Sequence, residues 1–146
     1  MNDNQKKPLI YLVEDDPDDQ YMFNMIVDEL GLIADFQVYE DGLSAYDALM
    51  ACLGSHEYEQ DHGSRLPDLI LMDLNLPVWD GKKTLKRIKN QEDLKTLPVV
   101  IYSTSKSEHD IHDCYALGAN SFISKAVEYT QLSKQIEQIF TYWFKT

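Results

Sequence analysis

The chain has 146 residues, 44% of them hydrophobic, which is enough for one domain with its own core and no need of disulfides or a structural metal. Thirteen basic residues against 25 acidic ones give a formal net charge of −12. That balance argues against nucleic acid or an anionic membrane as the main partner and suits solubility and cation binding. Cys52 and Cys114 each stand alone in a helical pattern and read as small buried hydrophobes in a reducing compartment. No signal peptide is expected, because the opening residues lead into an apolar run of only five, and no run approaches the roughly 20 apolar residues of a membrane span. The expected location is cytoplasmic.

Residues 1–7 read as an N-terminal tail. Leu9 to Val13 is a continuous apolar run that suits a buried parallel strand, and it ends on Glu14-Asp15. Asp16 then caps a helix, Pro17 fits its first position, and Asp18 and Asp19 favour the positive end of its dipole. Met22, Met25, Ile26 and Leu30 form its expected apolar face, and Gly31 ends it. Phe36 to Tyr39 is a short second strand. Asp41-Gly42 opens a second helix with Ala45, Ala48, Leu49 and Leu53 on one face. Residues 54–66 are polar, longer than most connections, and read as an insertion loop or an overrun of that helix.

Leu69 to Met72 is the third strand and ends on Asp73. A turn from Asn75 to Gly81 leads to a lysine-rich helix near 82–90, where Lys82, Lys83, Lys86, Arg87 and Lys89 read as a solvated face. The fourth strand, Val99 to Tyr102, follows Pro98 and ends on Ser103. Ser107-Glu108-His109-Asp110 has the form of a capping box for a fourth helix that Gly118 ends. His109 and His112, three apart with no matching cysteine or acid pattern, read as solvated rather than as zinc ligands. Phe122-Ile123 is the fifth strand and runs through Ser124 to Lys125. A last helix starts near Glu128. Leu132, Ile136, Ile139 and Trp143 form its sheet-facing stripe, and Tyr129, Phe140 and Phe144 a neighbouring stripe expected to serve a dimer or a partner.

Five strand–helix alternations predict an α/β fold. The expected form is a three-layer, flavodoxin-like (βα)5 sandwich with a parallel five-stranded sheet in the order 2-1-3-4-5 and right-handed crossovers. Ligands of such a sheet bind at the carboxyl ends of its strands. That edge would gather Glu14, Asp15, Asp73, Ser103 and Lys125. Three close carboxylates repel, so at least one should have a raised pKa, and Mg²⁺ (or Mn²⁺) would relieve the repulsion. Asp73 has the chemistry of a phosphoryl-accepting nucleophile, Lys125 that of a point charge for one phosphoryl oxygen, and Ser103 that of a hydrogen-bond donor to another.

On Val13-Glu14-Asp15-Asp16, the run from Met72-Asp73 to Asp80-Gly81, Ser103-Thr104 and Lys125, the chain resembles a two-component response-regulator receiver domain over essentially its whole length, 1–146. The resemblance implies phosphorylation of Asp73 by the phosphohistidine of a histidine kinase. It implies Mg²⁺ held by Glu14, Asp15, Asp73 and the Asn75 main-chain carbonyl. It makes Ser103 the switch hydroxyl, Phe122 the aromatic switch residue and Lys125 the phosphate contact. The polar segment after the second helix resembles single-domain regulators paired with bacterial phytochromes, which points to a phytochrome-type kinase. The family usually has proline after the lysine, commonly cis. Here Ala126 stands there, and a cis bond without proline costs about 3 kcal/mol, so a trans bond is expected.

The expected product is a phosphoacceptor module rather than a turnover enzyme, signalling through a downstream protein, a phosphotransfer protein or a homodimer. Three rivals stand beside it. A phosphatase-like hydrolase would need an acid where Asn75 stands. A flavodoxin-like cofactor carrier would meet repulsion from Glu14-Asp15-Asp16. A receiver-like module that binds partners without phosphorylation would leave the acid trio, Ser103 and Lys125 without a role.

Overall fold

The computed structural model describes residues 7–54 and 65–145. Its elements follow the alternation read from the sequence: β1 (Leu9–Val13), α1 (Pro17–Leu30), β2 (Asp35–Tyr39), α2 (Gly42–Leu53), β3 (Leu69–Met72), α3 (Gly81–Asn90), β4 (Val99–Ser103), α4 (Glu108–Ala116), β5 (Ser121–Ser124) and α5 (Tyr129–Phe144). The five strands form one parallel sheet in the order β2-β1-β3-β4-β5, as expected. β1, β3 and β4 are buried along their whole length, because helices cover both faces. No helix among the described residues is long and apolar enough to cross a membrane.

The two-residue period of the strands divides the core. Tyr11, Val13, Ile70, Met72, Val99 and Ile101 join Ala45 and Leu49 of α2 and Leu85 and Ile88 of α3 on one face. Ile10, Leu12, Leu69, Leu71, Val100 and Tyr102 meet Phe23, Ile26 and Val27 of α1 and Ile136, Ile139 and Phe140 of α5 on the other. The α1 stripe is therefore centred on Phe23, Ile26 and Val27, while Met22 and Leu30 flank it, only partly buried. The i, i+3, i+4 spacing of the first three puts them on one line of the helix.

α5 corrects the sequence reading more sharply. Phe140 is fully buried, with its ring 6.4 Å from Phe36 and 5.7 Å from Phe144. It belongs to the core and is not an open face for a partner. The cause is β2, whose Phe36 reaches across the sheet edge and widens the apolar face that α5 must cover.

The lysine-rich helix is the second correction. Lys86 is exposed, but Lys82 and Lys89 are half-buried and partnered. Lys82 Nζ donates to Asp110 Oδ1 (2.7 Å) and Asp113 Oδ2 (3.0 Å) of α4. Lys89 Nζ donates to the carbonyls of Lys95 (3.1 Å) and Leu97 (2.7 Å) and to Asn120 Oδ1 (3.1 Å). Arg87 lies over the rings of Trp79 (4.8 Å) and Tyr46 (5.4 Å). The cations hold α3 to its neighbours.

α2 stops at Leu53 with Gly54 as its cap. Beyond Gly54, Arg65 and Leu66, the segment 54–66 lies outside the described residues, as does the tail apart from Lys7. Arg65 binds the Lys7 carbonyl (2.8 Å) and Asp68 (3.1 Å), and so ties the end of that segment to the start of β1. Cys114 is buried, Cys52 is half-buried against Tyr11, and neither is in a disulfide. His109 and His112 are exposed, and His109 pairs with Asp113.

Candidate functional site

The ladder runs one residue past the ends of β1 and β3. Glu14 N–H donates to the Tyr39 carbonyl (2.9 Å), and Asp73 N–H donates to that of Val13 (3.0 Å). With Val13 registered opposite Met72, Glu14 and Asp73 leave adjacent strands at one level on rigid backbone. Asp15 follows as an exposed residue. One carboxylate oxygen from each of Glu14, Asp15 and Asp73 lies within 4.8 Å of the others. Among the described residues this trio has the spacing to hold a metal ion. Its donors are hard oxygens, which suit Mg²⁺ or Mn²⁺ and not a thiolate- or imidazole-seeking metal.

Lys125 closes the site from β5. Its N–H donates to the Ser103 carbonyl (2.6 Å), so the chain leaves β5 still tied to β4. Its Nζ donates to Glu14 Oε1 (2.7 Å) and Asp19 Oδ2 (3.2 Å), and lies 3.8 Å from Asp73 Oδ2. The side chain is 8% exposed, and Nζ sits 5.2 Å from the centre of the Tyr102 ring. There is no cis peptide among the described residues, so Lys125-Ala126 is trans as expected, and the ammonium reaches the acids without a proline.

Burial pushes the Glu14 carboxyl above its ordinary range, and the ion pair with Lys125 offsets only part of that. The raised pKa expected at the acid trio is therefore present, but desolvation is its main cause and the charge of Asp73 the least. For Lys125, burial favours the neutral amine. The bond to Glu14 and the charges of Glu14, Asp73 and Asp19 outweigh it, so its pKa is raised.

A tight loop positions Asp73. Leu74 N–H donates to Asp73 Oδ1 (2.6 Å), and Gly81 N–H donates to the Leu74 carbonyl (2.8 Å). A Cβ on Gly81 would sit 2.4 Å from the Asp73 carbonyl oxygen, so only glycine lets the start of α3 press against the back of the site. Asp80 caps α3, accepting from Lys83 N–H (2.8 Å). Between them Val78 holds a left-handed φ of 65°, a strained conformation for a β-branched residue. Asn75 is exposed in this loop.

Ser103 is fully buried at the end of β4. Its Oγ accepts from Ser105 N–H (3.3 Å). Ser105 in turn donates its hydroxyl to Asp110 Oδ2 (2.7 Å), and its carbonyl accepts from Ser124 Oγ (2.9 Å). Asp110 thus forms only half of the expected capping box. Its N–H donates to Ser107 Oγ (3.3 Å), but its carboxylate serves Ser105 and Lys82. Phe122 is half-buried against the α2–α3 side of the core, and its N–H donates to Tyr115 Oη (3.0 Å).

The fold therefore brings Glu14, Asp15, Asp73 and Lys125 into one cluster, with Ser103 on the next strand. Sequence reasoning missed Asp19, read as a helix-dipole acid, and Tyr102, read as a strand residue. Both are set by Lys125, more than 20 residues from Tyr102 and over 100 from Asp19, and no local pattern announces such pairs.

The family model described as the response regulator receiver domain matches residues 10–137. Response regulator Rcp1 of Synechocystis sp. is 36% identical over 148 residues, which cover 100% of this chain and 96% of Rcp1. The crystal structure of the phosphorylated cyanobacterial phytochrome response regulator RcpA superposes with a TM-score of 0.78 at 33% identity, over 94% of each chain. The Mn²⁺-bound form of Rcp1 superposes with a TM-score of 0.77 at 35% identity, over 95% of this chain and 96% of that one.

Proposed function

Because the chain belongs to the receiver-domain family of two-component response regulators, we propose that Asp73 is its phosphoacceptor and that residues 1–146 act as a single receiver unit. The observation that carries this reading is the cluster itself: a 14% exposed Asp73 carboxylate beside two further acids and a buried ammonium at 3.8 Å. Attack by an Asp73 carboxylate oxygen on phosphorus forms the O–P bond and breaks the N–P bond of a kinase phosphohistidine, whose leaving nitrogen takes a proton. Lys125 neutralises one phosphoryl oxygen, and the Ser103 hydroxyl turns towards another.

The acid trio and the Asn75 carbonyl are the fitting ligands for Mg²⁺ or Mn²⁺. Bound there, the cation offsets the repulsion between the acids and the incoming phosphoryl charge. The Mn²⁺-bound relative supports that choice. Phe122 serves as the aromatic switch residue on β5. The donor is a histidine kinase of the phytochrome type, a reading supported by the phytochrome partnership in the name of RcpA. The output passes to a downstream protein, a phosphotransfer protein or a second copy. The chain is a signalling module, and the proposal excludes steady turnover of phosphate esters, which Asn75 in place of a second acid disfavours.

Incubation with acetyl phosphate and Mg²⁺, followed by borohydride trapping and mass spectrometry, tests the assignment. The expected label is at Asp73 alone. Label at wild-type level in Asp73→Asn would overturn it.

A further inference from the structure

Lys125 has more anionic partners than its role towards Asp73 requires. Glu14 takes one N–H at 2.7 Å, and Asp73 is still 3.8 Å away. The third acid is Asp19, in the first turn of α1, at 3.2 Å. Its carboxylate is 40% exposed, whereas the lysine is 8% exposed. Beneath the ammonium lies the Tyr102 ring, which belongs to the part of the core that α1 and α5 cover. Glu14, Asp19, Tyr102 and Lys125 line one small cavity with Met22, Phe23 and Leu132. Tyr102 is 6% exposed, and its hydroxyl has no partner among the described residues. The Lys125 head group is thus shared between Asp73 and the two acids that line this cavity, Glu14 and Asp19.

We propose that Asp19 is a positioning residue that holds Lys125 on the α1 side of the site and competes with a phosphoryl group on Asp73 for its ammonium. The inference rests on the phosphoacceptor reading above and adds a residue to it. An anion at 3.2 Å from the ammonium competes for the positive charge that a phosphoryl oxygen on Asp73 would draw on. Because Asp19 is half-exposed, solvent partly screens the pair, and its loss should be worth a factor of about two to five in affinity rather than orders of magnitude. Asp18 supplies the contrast: it is exposed in the same helical turn and has no bond to Lys125.

The test compares wild-type protein with Asp19→Asn, Asp19→Glu, Asp18→Asn and Asp73→Asn. Beryllofluoride with Mg²⁺ is titrated by Trp79 fluorescence, and phosphorylation rate is measured against acetyl phosphate concentration. In the covalent step acetate leaves as the Asp73 O–P bond forms, with no net proton change. Asp19→Asn is expected to bind beryllofluoride about two- to fivefold more tightly and to lower the half-saturating acetyl phosphate by a similar factor, with the maximal rate little changed. Asp19→Glu should restore wild-type values, and Asp18→Asn should match wild type. Unchanged or weaker beryllofluoride binding in Asp19→Asn would overturn the proposal, as would an equal gain in Asp18→Asn, which would mean a general charge effect. Failure of the phosphoacceptor reading is distinguishable, because Asp73→Asn would then still take up label.

Discussion

Gly81 lets the start of α3 lie directly against the backbone that carries Asp73. Adding a Cβ would place it 2.4 Å from the Asp73 carbonyl oxygen and 2.8 Å from Leu74 Cα, both backbone atoms of the same strand end. Neither can yield without moving the carboxylate. Gly81→Ala is therefore expected to cost about 1–3 kcal/mol in urea unfolding and to weaken Mg²⁺ binding in the same protein. Cys114 gives a pH-dependent prediction. Burial pushes its thiol up to about 11, from an ordinary value near 9. A group with a raised folded pKa contributes fully below its unfolded pKa and loses that contribution as pH climbs through the folded one. Stability should therefore fall between about pH 9 and 11 by an increment that Cys114→Ala lacks. Alkylation at neutral pH should spare Cys114 until the protein unfolds. At this scale Glu14, Asp15, Asp73 and Lys125 were legible, because each ends an apolar run and the topology sends strand ends to one edge. Asp19 and Tyr102 were not, because only the folded position of Lys125 gives them a role.

Among the elements, α3 departs furthest from its sequence pattern. Its cations repeat as a solvated face would, and the helix is indeed strongly two-sided, with Thr84, Leu85 and Ile88 buried. The difference lies in what the neighbours offer. The loop after α3 turns the Lys95 and Leu97 carbonyls towards Lys89, and α4 presents Asp110 and Asp113 to Lys82. Lys89→Met keeps the stem but takes their donor from the Lys95 and Leu97 carbonyls, while Asn120 Oδ1 keeps the Val99 N–H, and should cost about 1–2 kcal/mol in chemical unfolding. A cost near zero would return Lys89 to the solvated class. Lys82 reaches further, since Asp110 also holds Ser105, whose N–H donates to Ser103 Oγ. The site is thereby bonded to α3 and α4 as well as to its own strands.

At the scale of the whole molecule, alternation and chirality led to a parallel sheet covered on both faces, the usual doubly wound arrangement supplied its order, and its register delivered the strand ends expected of it. The limit of that reading was α5. Two apolar stripes on one helix look like a core face plus an interface, and nothing local says how wide the core is. Phe36 on the edge strand and Phe23 on α1 pack edge-on, and with Phe140 they turn the second stripe inward. Phe140→Ala should therefore lower stability by about 3–5 kcal/mol and not act by splitting a dimer, which sedimentation at several concentrations would separate.

On the reading proposed above, one metal-dependent site at the ends of β1, β3 and β5 accepts one phosphoryl group. Phosphoryl stoichiometry from acetyl phosphate, measured as Mg²⁺ is varied, tests it most directly. The prediction is saturation at about one phosphoryl per chain with Mg²⁺, none in chelator, and none in Asp73→Asn, with Asp15→Ala shifting the curve to higher Mg²⁺. Uptake that persists in chelator, or an Asp15→Ala curve that overlays wild type, would contradict it.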